Sequence, residues 1–185
     1  VVKTWLDGKP VVIKRYNIKN LSHALSRSVR TTRAEHSWQY AHLLEIAGIS
    51  SLKPVAWLER RKGQLRGTAY FVCEWIDATD LLSTGNQRSL TEPELRALLD
   101  VLQTMQQCRL SHGDFKANNL LLEHTEKPAT TKITLIDLDS MQTHSFPQTF
   151  QRALAKDLQR LMRNWNNSQA VSMQIGALLR DMAQF

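Results

Sequence analysis

The stretch SHGDFKANNLLL at residues 111–122 and the stretch ITLIDLD at 133–139 constrain this chain more than anything else in it. Leu120, Leu121 and Leu122 read as one short buried strand and residues 133–136 as a second. A hairpin built from them sets Asn119 at the start of one strand and Asp137 at the end of the other. His112, Gly113 and Asp114 fall in a turn after an apolar helix, and Asn119 follows Asp114 by five residues. Alone, an Asp after Gly is an ordinary turn former and an Asn before a strand an ordinary cap. Order, spacing and flanking apolar runs together point instead to chemistry.

The chemistry this spacing suits is phosphoryl transfer. The protein there has little covalent work to do. It supplies a carboxylate to orient the acceptor hydroxyl, and oxygen ligands for magnesium that neutralises the phosphates. Asp114 is the candidate base, and Asn119 and Asp137 are the candidate metal ligands.

At 185 residues and 42% hydrophobic content the chain can bury a real core, in one large domain or two small lobes. Cys73 and Cys108 form neither a disulfide framework nor a metal-ligand spacing, which favours a reducing compartment. No apolar run approaches the ~18 residues of a membrane span, and the chain opens without a charged-then-apolar leader, so it reads as soluble or at most peripheral. Its first residue is Val1 rather than Met, which suggests numbering that starts inside a longer protein or after a removed segment. The net charge of +7 calls for an anionic partner: lipid, nucleic acid or a phosphorylated sugar. Basic residues gather at Lys14, Arg15, Lys19, Arg27, Arg30 and Arg33, and again at Arg152, Lys156, Arg160 and Arg163. Few aromatics interleave with them, which argues against nucleic acid.

Along the chain, residues 1–16 predict a hairpin turning at Asp7 and Gly8, with Lys14 just beyond an apolar strand. There a packed stem could carry its ammonium to phosphates, although a strand-end Lys in water fits equally. Residues 20–29 suggest a helical turn or two. A helix follows from Thr31 or Thr32 to Ala47, capped by Gly48, with Ala34, Trp38, Ala41 and Leu44 on one face. Glu35 beside that face can pair with Lys14 or simply favour the helix dipole. Residues 52–58 and 66–76 predict strands joined by a turn at 59–63. In a two-lobed reading Glu74, Trp75 and Ile76 connect the lobes, where backbone groups would meet an adenine edge. Thr91, Pro93 and Glu94 signal a capping box opening a helix to Cys108. Residues 150–165 and 171–182 predict two more helices.

With Lys14, Glu35, the loop 112–119 and Asp137 in this order, the chain resembles the protein-kinase-like superfamily. Within it, VVIKRYN at 11–17, TTRAEHSWQYAHLLEIAGI at 31–49 and RALAKDLQRLMRNW at 152–165 are similar to the bacterial lipopolysaccharide kinases, which phosphorylate Kdo or heptose of the inner core. The resemblance implies an α+β, two-lobed fold: an N-lobe of antiparallel sheet plus helix over 1–76 and a mostly helical C-lobe over 77–185. It implies ATP and Mg2+ as cofactors, with Asp114 deprotonating a sugar hydroxyl and Asn119 and Asp137 holding the metal. Lys14 would meet the phosphates with Glu35 behind it, and Glu74 and Ile76 would face the nucleotide. Lys116 would stabilise the transferring phosphate or else face solvent.

Two positions depart from the superfamily pattern. No Gly-rich loop precedes Lys14, where the only glycine is Gly8 of the hairpin turn, and Asp139 replaces the Gly of the metal motif. Residues 140–147 leave little room for an activation segment, which implies a constitutively assembled site. The leading expectation is a kinase acting on an anionic saccharide or glycolipid of the lipopolysaccharide core, cytoplasmic and peripheral on the inner membrane. The alternatives are a protein or other small-molecule kinase, or a kinase-fold binding module with weak catalysis.

Overall fold

A computed structural model describes residues 1–17, 31–63, 65–123, 131–166 and 168–182. The expected helical turns at 20–29 lie outside these residues. The chain forms two compact units, one of residues 1–46 and 51–76, the other of residues 47–50 and 77–185.

The first unit begins with β1 (Val2–Leu6) and β2 (Lys9–Tyr16), joined by Asp7 and Gly8 at φ 48° and 76°. Positive φ at both central residues is what a two-residue hairpin turn needs, and an Asp-Gly pair supplies it. After α1 (Arg33–Ile46) come β3 (Pro54–Lys62) and β4 (Leu65–Glu74). The antiparallel sheet runs in the order β1-β2-β4-β3. β3 continues four residues beyond the expected end at 58. A register shift between Glu59 and Arg61 absorbs the polar run, and the Arg61–Glu59 ion pair at 2.7 Å holds it. β4 stops at Glu74, two residues short of the expected 76.

Tyr16, Ala34, Ala69, Phe71 and Cys73 form the core of this unit, with Val12, Trp38, Leu52 and Trp57 packed against it. Side chains alternate along a strand. Val12, Lys14 and Tyr16, paired with Cys73, Phe71 and Ala69, therefore share the sheet face that α1 covers. Lys14 thus lies within β2, on its inner face and half-buried, rather than beyond the strand.

The second unit carries β5 (Thr79–Asp80), α2 (Leu81–Gln87), α3 (Glu92–Gln107), β6 (Leu110–Ser111), β7 (Leu120–Glu123), β8 (Lys132–Leu135), β9 (Gln142–Thr143), α4 (Pro147–Arg163) and α5 (Gln169–Met182). The capping box forms as read: Thr91 and Glu94 reciprocally satisfy the first turn of α3. Leu98, Leu102 and Met105 of α3 are buried, and the helix packs on β6, β8 and α5. β7 and β8 form the expected antiparallel hairpin, with Leu120 opposite Leu135 and Leu122 opposite Ile133. α4 starts at Pro147 rather than 150, since proline suits a first helical turn whose N–H has no intrahelical partner. Among the described residues, an antiparallel sheet with one helix, then a largely helical unit, is the α+β organisation expected. Among the described residues no helix is long and apolar enough to cross a membrane.

Candidate active site

α3 delivers the chain through β6 to His112, which is fully buried. Its Nε2 lies 3.0 Å from the Ile136 carbonyl, which can only accept, and its Nδ1 lies 3.4 Å from the Asp114 amide, which can only donate. The ring is therefore the neutral Nε2–H tautomer. Burial, which disfavours the charged form, lowers its pKa in keeping with that. The imidazole bridges the loop to the residue just before Asp137.

Gly113 sits at φ 78°, and a Cβ there would run into the Ser140 carbonyl oxygen. Both backbone sign and space demand glycine at this point. The loop and the short 3₁₀ helix at Leu138–Ser140 thus meet backbone to backbone.

Asp157 of α4 supplies what the turn lacks. Its buried Oδ2 accepts from the His112 amide at 2.7 Å and the Gly113 amide at 3.1 Å. Asn164, at the end of the same helix, accepts from the Ala117 amide at 2.8 Å. Sequence reasoning missed both residues. The signal for Asp157 was available: it falls on the buried stripe of α4 between Phe150 and Leu161.

Asp114 is held from three directions. Its Oδ2 accepts from Lys116 Nζ at 2.9 Å, and its carbonyl accepts from the Lys116 amide and from Asn119 Nδ2, both at 2.9 Å. Both side chains of the pair remain partly exposed, at 29% for Asp114 and 46% for Lys116. Asn119 is buried, and its amide nitrogen is committed to the loop, which leaves Oδ1 as the oxygen it can offer. The Asn119 carbonyl accepts from the Ile136 amide at 3.0 Å, so the hairpin brings the start of β7 beside Asp137. Asp137 adopts left-handed backbone, φ 61° and ψ 54°, which turns the chain sharply after β8.

In the first unit, Lys14 Nζ stands 5.2 Å from the Tyr16 ring centroid. Burial pushes the Cys73 thiol up to about 11, and the charge of Lys14 pulls against that. Glu35 lies half-buried in the first turn of α1, its amide bonded to Thr32 Oγ1 at 3.2 Å, next to the core residue Ala34. Glu74 ends β4 with its carboxylate 3.9 Å from Lys53. The amides of Glu74 and Trp75 donate to the carbonyls of Lys53 and Pro10, and half-buried Ile76 closes the unit.

Within the second unit, a partly exposed carboxylate on a fixed loop stands with an amide oxygen and a second carboxylate at the ends of one hairpin. A model of the lipopolysaccharide kinase (Kdo/WaaP) family matches residues 4–181. The chain belongs to that family. Among curated proteins, no sequence matches significantly. The solved structure of WaaP in complex with acyl carrier protein superimposes with a TM-score of 0.71 at 20% identity, covering 100% of this chain and 74% of that one. The Rio2 kinase complex with ADP, Mg2+ and phosphoaspartate from Chaetomium thermophilum gives 0.54 at 19% identity, covering 87% and 50%. At such identities the likeness concerns fold, and the fold is protein-kinase-like. This lipopolysaccharide kinase is accordingly a phosphotransferase.

Proposed function

We propose that this lipopolysaccharide kinase transfers a phosphoryl group from ATP to a hydroxyl of Kdo or heptose in the inner core. Asp114 carries the reading. Its carboxylate is partly exposed while its backbone is fixed by Asn119 and Lys116 and the adjoining amides by buried Asp157. A base so held is pre-organised to orient a hydroxyl and take its proton. Lys116, already paired with that carboxylate, offers its ammonium where charge on the transferring phosphoryl oxygens needs compensation.

Magnesium fits the donors present. It favours hard oxygen ligands and keeps waters and substrate phosphates in its shell, so one or two protein oxygens suffice. Asn119 Oδ1 and the Asp137 carboxylate are such a pair; together they would hold a metal whose charge neutralises the nucleotide phosphates. Lys14, on the inner sheet face under α1, would meet those phosphates with Glu35 orienting it, and Glu74 and Ile76 would flank the adenine of the nucleotide. The excess positive charge supports a peripheral, cytoplasmic position against anionic lipid. The WaaP structure was solved with acyl carrier protein, which supports a similar protein partner here, to be checked by co-purification.

The decisive measurement is magnesium-dependent transfer of labelled phosphate from ATP to Kdo- or heptose-bearing acceptors. Asp114→Ala is expected to lower kcat by about 10²–10⁴-fold, the usual contribution of a positioned base. Undiminished turnover in that variant would remove Asp114 from the role, and transfer to proteins in preference to core saccharides would replace the acceptor class.

A further inference from the structure

Beside the catalytic loop, wholly within the second unit, lies a groove of about 660 Å³. Ser111 and Gly113 form one wall, His144 and the segment after β9 a second, and α4 the third. Arg152, Lys156 and Arg160 line it from α4 at steps of four residues, one stripe of the helix. Like charges at that spacing repel and oppose the helix. The acid that also lines the groove, Asp157, already accepts from two loop amides, and Arg160 lies 3.9 Å from its other oxygen. Arg152 and Lys156 are exposed, and their charge faces the groove with no acid on their own stripe. The polar wall continues through Ser111, whose hydroxyl lies 2.8 Å from His144 Nε2.

The geometry points to an anion-anchoring subsite for the acceptor: this groove receives a carboxylate or phosphate monoester carried by the saccharide, gripped by Arg152 and Lys156. Gly113, in its wall, adjoins Asp114, so an acceptor anchored here reaches the base with a hydroxyl elsewhere on the same molecule. The guanidinium of Arg152 can take two oxygens of either group side by side, while Lys156 adds a point charge. That the anion belongs to a phosphorylation acceptor rests on the kinase reading of the loop. That the groove binds such an anion does not.

The test separates the two. In steady-state kinetics, Arg152→Gln and Lys156→Gln should each raise the acceptor KM about tenfold, the value of a charge-assisted contact, with kcat and the ATP KM within about twofold. Wild-type acceptor KM should also climb with salt, and the double variant should lose that slope. Carboxyl-reduced and phosphatase-treated core saccharides identify the source of the anion: whichever treatment raises the wild-type KM to the level of the double variant removed the gripped group. Calorimetric titration with inorganic phosphate and with free Kdo gives a readout independent of turnover. Binding by the wild type and its loss in the double variant, without phosphoryl transfer to any saccharide, would sustain the subsite and sink the kinase reading. An unchanged acceptor KM in an active double variant overturns the subsite, as does a double variant that loses only its grip on acyl carrier protein, which would make the groove a protein-docking surface.

Discussion

Asp157 is the one acid in α4, where the other ionisable residues are Arg152, Lys156, Arg160 and Arg163. It turns inward, and its carboxylate closes the first two amides of the catalytic loop. Bonds from neutral amides to an ionised acceptor are about twice as strong as neutral pairs, and here they are buried. Asp157→Asn keeps one acceptor oxygen but loses the charge and buries a new amide nitrogen. The unfolding free energy in urea should fall by about 2 kcal/mol, and a loss under about 0.5 kcal/mol would show that the loop amides do not depend on this carboxylate. In the sequence, Asp114, Lys116, Asn119 and Asp137 stand out because their order and spacing are local to one loop and one hairpin. Asp157 does not, because its partners lie more than forty residues away and its neighbours suggest a solvated basic helix. The positive φ of Gly113 is equally silent: the clash with Ser140 that requires glycine exists only once both segments have folded.

At the scale of elements, the start of α3 shows how a local signal acquires a long-range guard. Glu94 completes the capping box and is almost fully buried, and Arg88 reaches it at 2.6 and 2.8 Å. Burial would raise its carboxyl, but bonds from Arg88 and Thr91 outweigh that and hold it at about 2, below its ordinary 4.5. A folded pKa below the unfolded one stabilises the protein above about 4.5 and loses that stabilisation as pH falls toward 2. Urea midpoints measured from pH 6 down to pH 3 should therefore decline for the wild type and decline less for Arg88→Met, and parallel declines would contradict the linkage. Arg88→Met should also cost about 2 kcal/mol at pH 7, since it leaves a buried carboxylate short of a partner. Elements with strong periodicity or a cap were legible: the first hairpin, α1, α3, the β7–β8 hairpin, α4 and α5. The seven-residue α2 was not, having too few turns to show a period and a glycine at position 85. Nor were β6 and β9, two residues each, whose pairing joins segments thirty residues apart.

Across the whole molecule, the sheet order β1-β2-β4-β3 joins β2 to β4 across more than fifty residues, a pairing no local pattern encodes. Composition speaks at this scale too, because excess positive charge points to an anionic partner without reference to the fold. Mg-ATP at a hundred times its dissociation constant should stabilise the protein by about 2.7 kcal/mol, read as a rise in Tm. Lys14→Met and Asp137→Ala should each shrink that rise at fixed ATP, and a full rise in both would move the nucleotide elsewhere. α4 then takes on a meaning that belongs to no single residue. Its inward Asp157 holds the loop next to Asp114, and its Arg152 and Lys156 line the groove proposed to receive the acceptor's anion. A helix rises about 1.5 Å per residue and does not stretch, so the backbone of Arg152 and Lys156 stands at a fixed spacing from that of Asp157. If the groove anchors the acceptor as proposed, the helix would act as a ruler, and the hydroxyl phosphorylated would be the one whose distance from the anion matches a length along α4.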